Sequence, residues 1–243
     1  MDVTLDSIRD IRLYQSKTGY RFSVDSLLLF DFVNLKKINT VADLGAGSGI
    51  VGILLAKKYR EAEVTLFELQ EGLIQLAEKN VLLNHLEDRV KVMPCDLRTS
   101  PGAYAKPQSC DLVVSNPPFR KMKSGRLNTG EERSIARHEI KLSLTELIRT
   151  ASYLLRARGR FSIVYHPNRL SELIAALKEQ DMEPKRLRFV HSNVSSESKM
   201  VLLDAVKGGR TGVKVEQPLF LYQDDGSYTD EMIGIYVAKK NHR

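Results

Sequence analysis

Between Val41 and Gly49 the chain reads VADLGAGSG, and this stretch restricts the fold more than any other. Val41, Ala42 and Leu44 have the apolar character of a strand end, Gly45, Gly47 and Gly49 follow, and Ile50 to Tyr59 then reads as a helix. Glycines at such a junction permit a tight turn whose backbone a ligand can approach closely. Strand, glycine turn and helix in that order open a sheet of parallel strands with helices on its faces.

The same alternation continues. Val64 to Glu68 predicts a strand, Leu73, Leu76, Ala77 and Val81 mark a helix, and Val90 to Met93 predicts a strand ahead of Asp96. Leu112 to Val114 is a strand core. Leu144, Leu147, Ile148, Ala151 and Leu155 are helical in spacing, and Phe161 to Tyr165 is a strand ended by His166-Pro167. A helix with Leu170, Leu173, Ile174 and Leu177 follows, then strands near Leu187 to Val190 and from Met200 to Val206, with a polar loop, Ser192 to Lys199, between them. Upstream, Ile8 to Phe22 reads as a β-hairpin turning at Lys-Thr-Gly, and Ser23 as the N-cap of a helix through about Val33. The tail from Gly212 ends in a turn at Asp225-Gly226. The expectation is an α/β, Rossmann-like fold with a mostly parallel sheet. We read residues 1–243 as one domain, in which a hairpin and helix (1–35) precede the core (36–243).

A chain of 243 residues with 42% hydrophobic content buries a core of that size without a second domain. The start is acidic, and apolar runs such as Leu27 to Phe30 are too short to span a bilayer, which points to a cytoplasmic protein with no membrane partner. Cys95 and Cys110 are too few for a disulfide framework or a zinc site and read as small buried hydrophobes, so no metal is expected.

Asp43 bears on what the glycine turn holds. Gly47 to Gly52 also satisfies the dinucleotide fingerprint, but a carboxylate just before the first glycine repels a pyrophosphate and suits the ammonium and sulfonium of S-adenosylmethionine. Glu68, at the end of the next strand, is placed to accept ribose hydroxyls, which either cofactor carries. Asp96, after the strand beyond, falls where an adenine amino group is held, or where a helix is capped.

Cys110 to Phe119, CDLVVSNPPF, is the second constraining stretch. The two prolines fix their own φ and extend Asn116, leaving carbonyl acceptors at a strand end. The Asn116 side chain, the Pro117 carbonyl and the Phe119 ring suit a flat ring bearing an amino group, with Pro118 stiffening the turn; the plainer reading is a turn alone. From Arg120 to Arg160 there are eleven lysines and arginines against four acids, an excess equal to the net charge of +7. The run Arg120 to Arg137, with Arg120, Lys121, Lys123 and Arg126 beside the motif, reads as a long loop suited to a polyanion. Phe22 and Asp25 are candidate ligand neighbours, and His166 reads as structural. Asp43, Glu68, Asp96 and Asn116 all fall at carboxyl ends of strands, where open α/β sheets bind ligands.

With its glycine loop, acid and NPPF tetrad in this order, the chain resembles the class I S-adenosylmethionine-dependent methyltransferases from Val41 to Val206. The stretches IRLYQSKTGYRFSVDSLLL, SNPPF, LNTGEERSIARHEI and QDDGSYTDEMIGIY are similar to the bacterial valine-tRNA adenine-N(6) methyltransferase family. That resemblance implies methylation of the adenosine immediately 3′ of the anticodon, tRNA as partner and no obligate protein partner. Arg120 stands where relatives often have a second aromatic. Other bearers of this tetrad act on guanine amines of ribosomal RNA, adenine in DNA or a glutamine amide in protein. A non-catalytic RNA-binding module is the alternative of another class.

Overall fold

The computed structural model describes residues 3–17, 24–99, 101–117 and 142–237. Two short antiparallel strands, β1 (Val3–Ile8) and β2 (Ile11–Ser16), form a hairpin, followed by helix α1 (Val24–Phe32). The core then runs β3 (Thr40–Leu44), α2 (Ile50–Lys58), β4 (Glu63–Glu68), α3 (Glu71–Leu83), β5 (Val90–Pro94) and β6 (Cys110–Ser115). It continues with α4 (Leu144–Leu154), β7 (Leu155–Tyr165), α5 (Leu170–Glu179), β8 (Met182–His191) and β9 (Ser198–Lys207). Two short strands, β10 (Lys214–Val215) and β11 (Leu219–Phe220), and helix α6 (Asp230–Tyr236) end the described chain.

Across the sheet the main strands lie in the order β5, β4, β3, β6, β7, β9, β8, with β10 and β11 both pairing β8. The pairings from β5 to β7 are parallel; β9 is antiparallel to both its neighbours. The connection from β8 to β9 accounts for the reversal, since a few residues can join antiparallel neighbours but not parallel ones.

Alternation along each strand splits the core in two. Val41, Val64, Leu112 and Val114 face α1, α2, α3 and α6, while Ala42, Leu44, Val113 and Ile163 face α4 and α5. Helix α4 opens on a reciprocal cap in which Glu146 N–H donates to Ser143 Oγ and Ser143 N–H to Glu146 Oε2.

The chain order reverses between β3 and β6. Strands β3, β4 and β5 wind outward to one side and β6 returns to the other flank of β3, so a crevice opens beyond the carboxyl ends of that pair. Asp43 pairs with Val114 in register, which sets Gly45 and Asn116, each two residues further on, at the mouth of this crevice. Ser115 Oγ donates to the Leu44 carbonyl at 2.7 Å and ties the two strand ends together.

Three expectations need revision. The hairpin turns at Arg9-Asp10, with Arg9 in the left-handed region at φ 54°, so its strands begin earlier than the alternation suggested; Thr18 and Gly19 of the Lys-Thr-Gly stretch lie outside the described residues. Strands β7 and β8 each start several residues before their apolar runs, because sheet pairing extends through polar positions such as Arg160 and Arg186. The tail does not end in a turn alone: β10 and β11 pair with β8, and Met232 and Ile235 of α6 are buried in the core.

The hairpin docks on α3 through two asparagines. Asn80 accepts from Tyr14 N–H at 2.7 Å and donates to the Tyr14 carbonyl at 3.1 Å; Asn84 accepts from Arg12 N–H at 3.1 Å and donates to the Arg12 carbonyl at 2.7 Å. Four residues apart on one helix face, the amides satisfy backbone groups of β2.

Candidate active site

At the end of β3 the turn takes the backbone conformation its glycines permit: φ is 72° at Gly45, 59° at Gly47 and 86° at Gly49, all left-handed. Its N–H groups point inward. Those of Gly45 and Ala46 both donate to the Phe67 carbonyl, at 2.9 and 3.0 Å, that of Gly47 to Glu68 Oε2 at 2.8 Å, and that of Gly49 to the Ala46 carbonyl at 2.9 Å. Ser48 contributes its carbonyl, which accepts from Asn80 Nδ2 at 2.9 Å. One side chain of α3 therefore holds both the hairpin and the glycine turn.

Asp43 is buried beneath that turn. One of its oxygens accepts from Gly52 N–H at 3.0 Å, and burial lifts its pKa from 3.8 to about 7, with the Gly52 bond opposing the rise and the nearby charge of Glu68 adding to it. Gly52 is itself required here, because a Cβ would lie 2.2 Å from Leu66 Cδ2.

Glu68, also buried, accepts three backbone N–H groups: Gly47 on Oε2, and Leu69 and Gln70 on Oε1, both at 2.9 Å. A carboxylate has about four acceptor positions, so Glu68 clasps the glycine turn and has room for one more donor. Asp96 lies past β5 and forms a two-pronged pair with Arg98, Nε to Oδ1 at 2.8 Å and the guanidinium Nη2 to Oδ2.

Past β6, half-buried Asn116 donates from Nδ2 to Ser26 Oγ at 3.0 Å. Ser26 belongs to α1 and is 1% exposed, and Asp25 precedes it in the first turn of that helix. Pro118, Phe119, Arg120, Lys121, Lys123, Arg126 and Phe22, singled out in the sequence, lie outside the described residues, as do most of the basic run and Ser23. The topology brings Asp43, Glu68, Asp96 and Asn116 to one rim on four adjacent strands.

This geometry tests which cofactor fits. A pyrophosphate needs outward N–H donors and positive potential. Here the N–H groups of Gly45, Ala46, Gly47 and Gly49 are satisfied internally and two carboxyl groups lie below them, which favours a cation. A Cβ on Gly45 would meet nothing within 4 Å, so the turn leaves open space on its outer side. The residues fit S-adenosylmethionine.

Sequence reasoning passed over Ser26, Asn80 and Asn84. A signal was present in each case: a polar residue on an apolar helix face, Ser26 beside Leu27 to Phe30, and the asparagines in line with Leu76, Ala77 and Val81. Buried polar side chains need partners, and these have them.

Among the described residues no group of three or more His, Cys, Asp or Glu is arranged to hold a metal ion, and no helix is long and apolar enough to cross a membrane. The chain is 24% identical to a tRNA1(Val) (adenine(37)-N6)-methyltransferase of Tolumonas auensis, over 94% of this chain and 93% of the relative. Among solved structures it resembles a predicted O-methyltransferase from Agrobacterium tumefaciens, with a TM-score of 0.70 and 23% identity over 88% of this chain and 99% of that one. It also resembles the geranyl diphosphate C-methyltransferase from Streptomyces coelicolor A3(2), solved with Mg2+, geranyl diphosphate and S-adenosyl-L-homocysteine. That match has a TM-score of 0.56 and 12% identity over 76% and 77% of the two chains. The sequence pattern of the methyltransferase small domain matches residues 21–181, about two thirds of the chain, and the protein belongs to that family.

Proposed function

We propose that this protein transfers the methyl group of S-adenosylmethionine to the N6 amino group of an adenine in RNA, the adenosine immediately 3′ of the anticodon of a valine tRNA, in the cytoplasm. The observation that carries the reading is Asn116, at the strand end beside the glycine turn: its amide nitrogen is bound by Ser26, which leaves Oδ1 as an acceptor with no partner among the described residues. The name of the Tolumonas auensis relative, matched over nearly the whole of both chains, supports this substrate.

Asp43, Gly45, Gly47, Gly49, Glu68 and Asp96 are the residues assigned to the cofactor. Asp43 contributes negative charge through the turn, and Glu68 offers its remaining acceptor position to a ribose hydroxyl. The N–H groups of Leu69 and Gln70 are the donors with which a second hydroxyl competes. Asp96 reaches an adenine amino group by exchanging its bond to Arg98.

When bound, the cofactor supplies a methyl carbon already activated by its sulfonium, whose sulfur takes the electron pair of the breaking bond. An adenine amine is conjugated with its ring and weakly nucleophilic. Asn116 Oδ1 and the Pro117 carbonyl accept its two hydrogens, favour a pyramidal nitrogen and align its lone pair; the surplus proton leaves to water once the C–N bond has formed. Pro118 stiffens this turn and Phe119 stacks on the extruded base. Phe22, Asp25, Arg120, Lys121, Lys123 and Arg126 are assigned to RNA, the four basic residues to its phosphates.

Incubation with tritiated S-adenosylmethionine and separate pools of tRNA, ribosomal RNA, DNA and protein tests the reading. Label in tRNA, recovered as N6-methyladenosine, is expected; label confined to another pool transfers the assignment to that substrate.

A further inference from the structure

We infer that Ser26 is a positioning residue for the methyl-transfer reaction: its buried hydroxyl holds the Asn116 side chain against rotation, with Oδ1 left for the reacting amine. This inference rests on the proposed function.

An asparagine amide presents oxygen on one side and NH2 on the other, and a half-turn about the terminal side-chain bond exchanges them. An adenine amino group offers hydrogens, so only the orientation with Oδ1 toward the crevice aligns it; the reverse sets NH2 against NH2. Asn116 is bounded by Pro117 on one side and the strand on the other, so the backbone is held, but neither neighbour holds its side chain against rotation. Ser26 does. Its Oγ lies 3.0 Å from Asn116 Nδ2, ninety residues away in sequence, on a helix whose Ser26 to Phe30 run is buried. Ser26 is 1% exposed, so the hydroxyl stays in place and water does not replace it as acceptor.

The helix that carries Ser26 precedes the β3 to β9 core in the chain, yet packs on its α2 face. Segments before the glycine turn thus contribute twice to the site: β2 braces the turn through Asn80, and α1 orients the acceptor through Ser26.

Ser26→Ala removes one oxygen, creates no clash and leaves both prolines and the glycine turn untouched. Single-turnover methylation of a valine tRNA transcript is measured for wild type, Ser26→Ala, Asn116→Ala and the double variant, with melting temperature and calorimetric affinity for S-adenosylmethionine alongside. One lost orienting hydrogen bond lowers the methylation rate about tenfold in Ser26→Ala, with cofactor affinity unchanged. In the Asn116→Ala background the same change has no further effect, because nothing remains to orient. A rate within twofold of wild type, or an equal drop in both backgrounds, overturns the inference.

The hydrogen bond has a readout that needs no substrate. In 15N-labelled protein the Asn116 side-chain NH2 signals, identified by their loss in Asn116→Ala, exchange slowly with solvent, and Ser26→Ala shifts them and speeds that exchange. Unmoved signals overturn the inference. If the wild type methylates no tRNA, the proposed function has failed, and the NMR measurement alone still decides whether Ser26 holds Asn116.

Discussion

Replacing Asp43 by asparagine separates the charge beneath the glycine turn from its hydrogen bond. The amide oxygen still accepts from Gly52 N–H, so the turn keeps its anchor. What disappears is a carboxyl group whose pKa stands at about 7 against an ordinary 3.8, chiefly because it is buried. A folded value above the unfolded one means that the protonated form is favoured: the stabilising contribution is full below about pH 4 and is lost as the pH rises through 7. At about three pKa units this loss reaches roughly 4 kcal/mol by pH 8. The variant escapes it, so stability measured against wild type by denaturant titration should move in its favour between pH 5 and pH 8. Cofactor binding should move the other way. A cation above the turn favours the ionised carboxylate, so binding at pH 6 displaces a proton from about nine in ten molecules and at pH 8 from about one in ten, and affinity climbs about tenfold between them. Calorimetry in buffers of different ionisation enthalpy counts those protons, and the variant, subject only to the ligand's own titration, gives the baseline. Equal affinities for variant and wild type at pH 8, with equal proton release at pH 6, would refute the reasoning.

Gly52→Ala inverts the usual helix rule: alanine is ordinarily favoured by about 1 kcal/mol in a helix interior, but a Cβ 2.2 Å from Leu66 Cδ2 forces overpacking, and denaturation should show a loss of roughly 1 to 3 kcal/mol. Asn80→Ala leaves Tyr14 and the Ser48 carbonyl without their partner; about 2 to 4 kcal/mol of stability should go, and calorimetry should show weaker cofactor binding as well. Asn116→Ala should keep fold and cofactor affinity while single-turnover methylation falls about a hundredfold, by roughly 3 kcal/mol in the transition state, and Asn116→Asp should retain more activity than alanine.

The sheet was legible in the sequence because its strands are short apolar runs that stop on chemically distinctive residues. Leu112 to Val114 stops at Asn-Pro-Pro and Val41 to Leu44 at glycines, and both boundaries stand within two residues of where they were read. The rim followed from the same stops, since an acid or amide at the carboxyl end of a parallel strand has only the crevice or its neighbours to face. The supporting contacts were less legible. Ser26 and Asn116 meet only through the packing of α1, and no local pattern records a bond across ninety residues. Glu68 read as a ligand residue, but the N–H groups it clasps belong to backbone, which any sequence supplies. The hairpin register depended on Arg9 adopting a left-handed φ that glycine more often takes, so no glycine or asparagine marked the Arg9-Asp10 turn in the sequence. Pairs of residues such as Lys214–Val215 and Leu219–Phe220 are too short to carry a period, and their pairing is set by β8.

The most direct test is mass spectrometry of a valine tRNA transcript after incubation with the protein and S-adenosylmethionine, beside a transcript carrying guanosine in place of the adenosine immediately 3′ of the anticodon. One N6-methyladenosine in the first transcript and none in the second is the predicted result. No methylation of either, or equal methylation of both, contradicts it.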